Sequence, residues 1–284
     1  MSASILDGQS VAAQIKQQLK QTLDAHLQHG KRAAALAVIL IGDNPASRVY
    51  VDAKRGDCSD IGMQSWVHHL AHDTTQAQLI ELIESLNNNR NIDGILVQLP
   101  LPPHINTQVI VECIAPDKDV DGFNPINLGK LAQGTPFLRP CTPHGIMQLL
   151  AHYRLDVRGT HAVVIGASTL VGRPMALELL MQKATVTVCH SATTHLERHV
   201  SCADIVIVAT GVMDVISPTW LNRSQIVIDV GIHRTAHGLL RGDIDFTTAC
   251  QNVAWITPVP GGVGPMTRCA LLQNTVMAYG AHLT

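Results

Sequence analysis

The run from His161 to Leu180 constrains this chain most. A β-branched stretch, Val163 to Ile165, stops at Gly166, and an apolar helical pattern opens at Pro174. Strand, glycine turn and helix start form the phosphate-cradling geometry of a doubly wound nucleotide domain. Glycine lets the backbone approach an anion, and the helix N-terminus offers free N–H groups and the positive end of a dipole. Pro174 suits a first helical turn, where its missing N–H costs nothing. The spacing is a variant of G-x-G-x-x-G, with Ser168 in the middle place and Gly172 one residue late. Alone, such a turn is also compatible with a strand-to-helix junction that binds nothing. The flanking chain adds strands at 185–189, 204–209, 225–230 and 253–256, separated by helix-length segments. Apolar runs at this spacing predict a parallel sheet covered on both faces.

The end of the second of these strands bears on the cofactor. About 20 residues past the glycines, an NAD site places Asp or Glu on the ribose 2′-hydroxyl. Here His190 and Ser191 stand there, and the turn itself supplies Arg173. A cation and a hydroxyl suit a 2′-phosphate, which favours NADP over NAD. The competing reading is that Arg173 is a solvated first-turn residue.

At 284 residues the chain has room for two ordinary domains. A net charge of −2 with 15% charged residues offers no electrostatic footprint for nucleic acid or an anionic membrane. No run approaches a membrane span, and residues 1–7 lack a secretory signal pattern. The 7 cysteines are scattered without a C-x-x-C, which points to thiols in a reducing cytoplasm. His68-His69-x-x-His72 is the densest histidine cluster. It has no Cys or acidic ligand in register, so no metal is expected.

In the first half, Ser10 is expected to cap a helix running to about Gln28 and ended by Gly30. A buried strand follows at 34–41, then a helix from about Ala46 to Asp60 with Tyr50 and Lys54 on one face. Strands at 63–70 and 95–99 flank a helix opened by Thr74 and Thr75. Gln98 lies at the carboxyl end of the 95–99 strand, where open α/β sheets place their sites. Residues 116–143 shift to Pro, Gly, Asn and Asp, the composition of an inter-domain connection. Thr142 and Pro143 then start a helix to about His152. The prolines and glycines of 257–267 predict a loop, and a last helix runs from about Met266 to Ala281.

Asp117-x-Asp119-x-Asp121-Gly122 opens like a calcium loop, but Leu128 stands where the bidentate Glu belongs. No phosphate loop of the G-x-x-x-x-G-K-[ST] type and no G-x-S-x-G elbow occurs. Tyr50 and Lys54, one turn apart, can share a proton, or they form an exposed amphipathic face. Y-x-x-x-K also resembles the short-chain dehydrogenase pair, although in that family the nucleotide glycines precede it.

Taken together, the chain closely resembles the bifunctional methylenetetrahydrofolate dehydrogenase/methenyltetrahydrofolate cyclohydrolase family. The matching motifs begin with Asn44-Pro-Ala-Ser-x-x-Tyr-Val51 with Lys54, and Asp93-Gly-Ile-Leu-Val-Gln-Leu-Pro-Leu-Pro102. They continue through Pro116-x-Lys-Asp-Val-Asp-Gly-Phe-Asn124, Pro140-Cys-Thr-Pro143, Val163-x-Ile-Gly-x-Ser168 and Val171-Gly-Arg-Pro174. Pro258-Val-Pro-Gly-Gly-Val-Gly-Pro-Met-Thr267 closes the set.

The resemblance implies an α/β fold of two domains with a folate cleft between them. Residues 1–120, joined by a C-terminal helix at 266–284, would form a three-layer folate-binding catalytic domain. Residues 121–142 would connect it to a Rossmann-type NADP-binding domain at 143–265. Lys54 would be the acid/base residue, tuned by Gln98, with Tyr50 stacked on the folate and Asp121 on the pterin edge. Val51, Leu99, Pro100, Pro258, Pro260, Gly261 and Gly262 would complete the substrate contacts, the 258–264 loop closing over the folate. Gly166, Ala167, Ser168, Val171, Gly172, Arg173, Ser191, Thr210, Gly211 and Ile232 would hold NADP. The implied reaction oxidises 5,10-methylenetetrahydrofolate to the methenyl cation, then hydrolyses it to 10-formyltetrahydrofolate. The implied setting is a cytoplasmic homodimer serving purine, methionine and histidine biosynthesis. Arg268, where relatives carry a small apolar residue, is expected to face outward. The other class of function is a folate- or nucleotide-binding regulator without turnover, against which intact Lys54, Gln98 and Asp121 argue.

Overall fold

The computed structural model describes residues 2–235 and 238–283. Met1 and Thr284, the outermost residues of the expected first domain and its returning helix, lie outside them. The elements run β1 (Ser4–Ile5), α1 (Gly8–Gln28), β2 (Ala35–Ile41), α2 (Pro45–Asp60), β3 (Gln64–Leu70), α3 (Gln76–Asn87) and β4 (Gly94–Val97). Next come α4 (Thr107–Cys113), α5 (Pro125–Ala132), α6 (Cys141–His152), β5 (His161–Ile165), α7 (Gly172–Met181) and β6 (Thr185–Cys189). Then α8 (Leu196–Ser201), β7 (Ile205–Val208), β8 (Ile226–Asp229), β9 (His233–Arg234) and β10 (Leu240–Arg241) follow. The chain closes with α9 (Phe246–Asn252), β11 (Trp255–Ile256) and α10 (Val263–His282). Two compact units result, one of residues 13–141 with 268–284, the other of residues 1–12 with 142–267.

The first of these units is built on a parallel three-stranded sheet in the order β3-β2-β4. β2 reads Ala-Leu-Ala-Val-Ile-Leu-Ile and every one of its residues is buried, as a central strand covered on both faces requires. β3, at the edge, has no buried residue and exposes the consecutive pair Trp66 and Val67. One face of the sheet packs Leu36, Val38 and Leu96 against Val51 and Cys58 of α2 and against Leu271, Leu272 and Tyr279 of α10. The other face packs Ala37, Ile39 and Ile95 on Leu79, Ile83 and Ile110. α3 opens with a reciprocal capping box between Thr75 and Gln78. Beyond β4, the Ile95 amide donates to the Lys118 carbonyl at 2.8 Å, so residues 118–120 continue the sheet.

Of the segment 121–142, expected to be a connection, residues 121–141 are part of this folded unit. It carries α5, started by Asn124 as cap and Pro125 in the first turn, and it buries Leu131, Leu138 and Cys141. Pro, Gly and Asn here serve helix starts and tight turns, which a composition argument cannot tell from a linker. α1 also begins earlier than expected. Asp7 caps it, Oδ1 accepting from the amides of Gln9 and Ser10 at 3.0 and 3.1 Å, while Ser10 donates its hydroxyl to the same carboxylate.

The second unit is a six-stranded parallel sheet in the order β1-β11-β8-β7-β5-β6. Strands β7 and β8 carry the unbroken apolar runs Ile205–Val208 and Ile226–Ile228. The strand order reverses beside β5, the switch point at which open α/β sheets open a ligand crevice. The last helix starts at Val263, not Met266, so the expected loop is confined to 257–262. Pro265 falls in the first helical turn, where proline is accommodated. Among the described residues, no helix is long and apolar enough to cross a membrane.

Candidate active site

In the unit built on β2, Lys54 and Tyr50 project from α2 one helical turn apart. The Lys54 ammonium donates to Gln98 Oε1 at 3.0 Å. Gln98 is itself fixed. Its backbone amide donates to Ile39 O at 2.9 Å, continuing the β2–β4 ladder, and its Nε2 donates to Leu99 O at 2.8 Å. That second bond orients the amide so that its oxygen faces the lysine. Tyr50 is 39% exposed, an uncommitted ring in a chain with only 3% aromatic residues.

Asp121 follows the strand-like 118–120 segment. Lys118 anchors that segment, its ammonium donating to the carbonyls of Leu86, Asn87 and Asn89 at the end of α3. Asp119 Oδ2 accepts from Asn124 N at 2.7 Å and from Asn127 Nδ2 at 2.9 Å, closing the turn that follows. From the side of α10, Asn274 Nδ2 donates to Val120 O at 2.8 Å and to Arg139 O at 2.7 Å. Gly122 has φ +77°, and a Cβ there would lie 2.3 Å from the carbonyl carbon of Arg139. The Asp121 side chain therefore leaves a turn fixed on three sides. It lines a recess with Val97, Leu99 and Phe123. Burial pushes its carboxyl up to about 6; the Lys54 charge opposes that rise and Asp119 adds to it.

Two of the expected substrate residues lie in packed surroundings. Val51, one position past Tyr50, is 3% exposed and packs in the core with Leu36 and Cys58. A step of one residue turns a helical side chain about 100° from its neighbour, away from the Tyr50 face. Gly262 is also buried: a Cβ on it would lie 2.5 Å from Pro258 O. It serves close packing of the 258–262 turn, where Pro260 is exposed and the Gly261 carbonyl accepts from Gln9 N at 3.0 Å. Leu99 is half-buried beside Asp121, and Pro100 is exposed. Arg268, expected outward, pairs with the buried Asp57 at 3.3 Å.

The parallel sheet of the other unit gathers the expected cofactor residues. Ile165 pairs with both Cys189 and Val208, and Val208 pairs with Asp229. The turns that follow these strands, bearing Gly166–Arg173, Ser191, Thr210–Gly211 and Ile232, therefore emerge along one carboxyl edge. Gly166 (φ +114°) lies against Ala209, where a Cβ would meet the carbonyl oxygen at 2.2 Å. A Cβ on Gly172 would meet Gly166 O at 1.9 Å. Only glycines allow strand end, turn and helix start to close this tightly. Ser168 Oγ accepts from the amides of Val171 and Gly172 at 3.1 and 3.4 Å, which leaves its hydroxyl proton for an anion. Arg173 is exposed and braced by Nε on Ala167 O at 3.1 Å. Ser191 and Ile232 are exposed. The cradle fits a dinucleotide phosphate, and residues 190–195, which follow β6, include no Asp or Glu.

Sequence reasoning missed the residues that hold this edge from below. Asp229 Oδ1 accepts from the amides of Gly231 and Asp243, and Oδ2 from Ile244. Burial raises its carboxyl to about 6 despite those donors. Asp243, fully buried, accepts from Thr210 and Gly211 and pairs with His233 at 2.7 Å. An Asp ending the apolar run Ile226–Ile228 was the one visible signal.

Comparison with known proteins also divides the chain in two, though along the sequence: residues 6–12 and 268–283, which pack with the opposite units, fall to the catalytic and NAD(P)-binding matches respectively. Residues 6–121 match the model for the tetrahydrofolate dehydrogenase/cyclohydrolase catalytic domain, and residues 140–283 that for its NAD(P)-binding domain. The bifunctional protein FolD of Legionella pneumophila (strain Corby) is 58% identical over 278 residues, 98% of each chain. The bifunctional FolD methylenetetrahydrofolate dehydrogenase/cyclohydrolase of Campylobacter jejuni superposes with a TM-score of 0.96 at 46% identity, covering 99% of this chain and 100% of that one. The Trypanosoma brucei enzyme, solved with NADP cofactor and an inhibitor, gives a TM-score of 0.95 at 34% identity over 100% and 99% of the two chains. The chain belongs to the tetrahydrofolate dehydrogenase/cyclohydrolase family.

Proposed function

We propose that Lys54, Gln98, Tyr50 and Asp121 carry the two activities of this family in this chain. The reaction is the NADP-dependent oxidation of 5,10-methylenetetrahydrofolate to 5,10-methenyltetrahydrofolate, followed by hydrolysis to 10-formyltetrahydrofolate. The observation that carries the reading is the Lys54 ammonium held 3.0 Å from the oriented Gln98 oxygen. In the hydrolytic step, a neutral Lys54 takes a proton from the water that adds to the methenyl carbon. The resulting ammonium then protonates N5 as the N5–carbon bond breaks, and the carbinol oxygen becomes the formyl carbonyl by releasing its proton to solvent. Gln98 accepts a hydrogen bond in either lysine state and so keeps the nitrogen in place. The Tyr50 ring offers a stacking face for the pterin or benzoyl ring, and Asp121 an acceptor for the pterin's N–H edge.

When bound, NADP supplies the hydride acceptor for the one-carbon bridge. The glycine cradle, the Ser168 hydroxyl and the α7 N-terminus would hold its pyrophosphate. Arg173 and Ser191 would hold its 2′-phosphate. Lys54→Met tests the assignment. Methenyl hydrolysis should fall by about 100-fold or more with circular dichroism unchanged, whereas hydrolysis within a few-fold of wild type would remove Lys54 from the mechanism.

The chain is further proposed to act as a cytoplasmic homodimer supplying formyl groups for purine, methionine and histidine biosynthesis. Support for the dimer is the outer strand β3, on which Trp66 is 50% and Val67 37% exposed. Replacing both with Glu should yield a monomer in sedimentation; an unchanged mass would place any interface elsewhere.

A further inference from the structure

Around residues 210–212, the backbone amides are satisfied within the fold, and the Thr210 hydroxyl lies 2.9 Å from Asp243 Oδ2 and 3.4 Å from Val212 O. Asp243 Oδ2 accepts from Thr210 N at 2.8 Å, Thr210 Oγ1 at 2.9 Å and Gly211 N at 3.0 Å. The next amide, Val212 N, donates to Thr210 Oγ1 at 3.1 Å. Three consecutive backbone N–H groups are thereby consumed within the fold. Asp243 is fully buried, its other oxygen meets His233 Nε2 at 2.7 Å, and its own amide is gripped by Asp229 Oδ1 at 2.9 Å. Gly231 permits the arrangement, since a Cβ there would lie 2.1 Å from Asp243 Oδ1. A carboxylate satisfied by this many donors is rigid, and each of its bonds is charge-assisted.

We propose that Asp243 is a positioning residue that makes residues 210–212 an edge offering acceptors alone to the dinucleotide. This rests on the cofactor reading of Thr210 and Gly211. With these amides used inside the fold and Val212 O met by the Thr210 hydroxyl, the backbone carbonyls of Thr210 and Gly211 are the groups left at the carboxyl end of β7. It therefore takes donor groups of the ligand, amide N–H or ribose hydroxyl, and rejects its phosphates. The phosphates belong to the opposite kind of surface, the donor-rich 166–172 turn. One sheet edge thus carries a donor patch and an acceptor patch, and Asp243 sets the polarity of the second.

The test combines amide hydrogen exchange with steady-state kinetics. In the wild-type protein, the peptide spanning 208–213 should exchange slowly and be slowed further by saturating NADP, but not by inorganic pyrophosphate. In Asp243→Ala its exchange should accelerate at least about tenfold, and KM for NADP should rise by a similar factor. Hydrolysis of methenyltetrahydrofolate consumes no nicotinamide, so it should stay within about twofold of wild type. Thr210→Val removes the hydroxyl's bond to Asp243 and the acceptor of Val212 N, and should raise KM for NADP about threefold while methenyltetrahydrofolate hydrolysis, which uses no nicotinamide, is kept. That variant decides the matter if Asp243→Ala fails to fold, and an unchanged KM would then overturn the proposal. Wild-type exchange and KM in Asp243→Ala would overturn the positioning role while leaving the cofactor reading. Indifference of the wild-type 208–213 peptide to NADP would overturn the cofactor reading itself. Protection by pyrophosphate would overturn the assigned polarity.

Discussion

Replacing Asp121 by asparagine should stabilise the folded protein at neutral pH while weakening its use of folate. The Asp121 carboxyl is raised from an ordinary 3.8 to about 6, chiefly by burial. A carboxyl raised in the folded state is favoured in its neutral form. The resulting penalty is absent at low pH, grows as pH rises from about 4 through about 6, and is constant above. A rise of that size corresponds to about 3 kcal/mol at pH 8. Partial exposure and solvent screening reduce that to about 1–2 kcal/mol. The asparagine side chain has the same shape without the charge, so Asp121→Asn should melt about 2–8 °C above wild type at pH 8. At pH 4, where both side chains are neutral, the difference should shrink to about a few tenths of a kcal/mol. KM for methylenetetrahydrofolate should rise in the same variant because a donor replaces part of the acceptor. Thermal unfolding of both proteins at the two pH values is the assay. A variant no more stable than wild type at pH 8, or one with an equal gain at pH 4, would refute the reasoning.

Two further outcomes follow from the same geometry. Arg173→Ser should raise KM for NADP by about tenfold or more, the worth of one charge-assisted bond, and leave KM for NAD nearly unchanged; equal effects on both cofactors would remove Arg173 from the 2′-phosphate. Asn274→Leu leaves the carbonyls of Val120 and Arg139 without their buried donor, so it should cost about 2–4 kcal/mol in urea unfolding and raise KM for folate through the loosened Asp121 turn.

Much of the fold was legible because burial leaves a compositional trace. The runs at 35–41, 205–208 and 226–228 are apolar and β-branched because they are central strands, and nothing else in so short a stretch demands that. β1 left no such trace, since two residues, Ser4 and Ile5, pair with β11 and carry no period. The 121–142 segment misled for the opposite reason, as its prolines and asparagines cap α5 rather than join domains. At the candidate site, the motifs singled out Lys54 and Gln98, which the fold brings to 3.0 Å, and Asp121, which it sets in a recess. They could not show that the Val51 side chain packs in the core or that Gly262 lies close under Pro258. Asp243 and Asn274 were invisible because their partners lie 33 and 154 residues away, and no local pattern encodes such a pair.

The central claim, that one lysine site serves both activities with NADP, is tested most directly by a stopped-flow absorbance course with methylenetetrahydrofolate and NADP or NAD. Reduced nicotinamide forming faster with NADP, with no build-up of the methenyl species, is the predicted result. Accumulating methenyl product would contradict a Lys54 site able to hydrolyse it, and absence of reduction with either cofactor would contradict the dehydrogenase assignment.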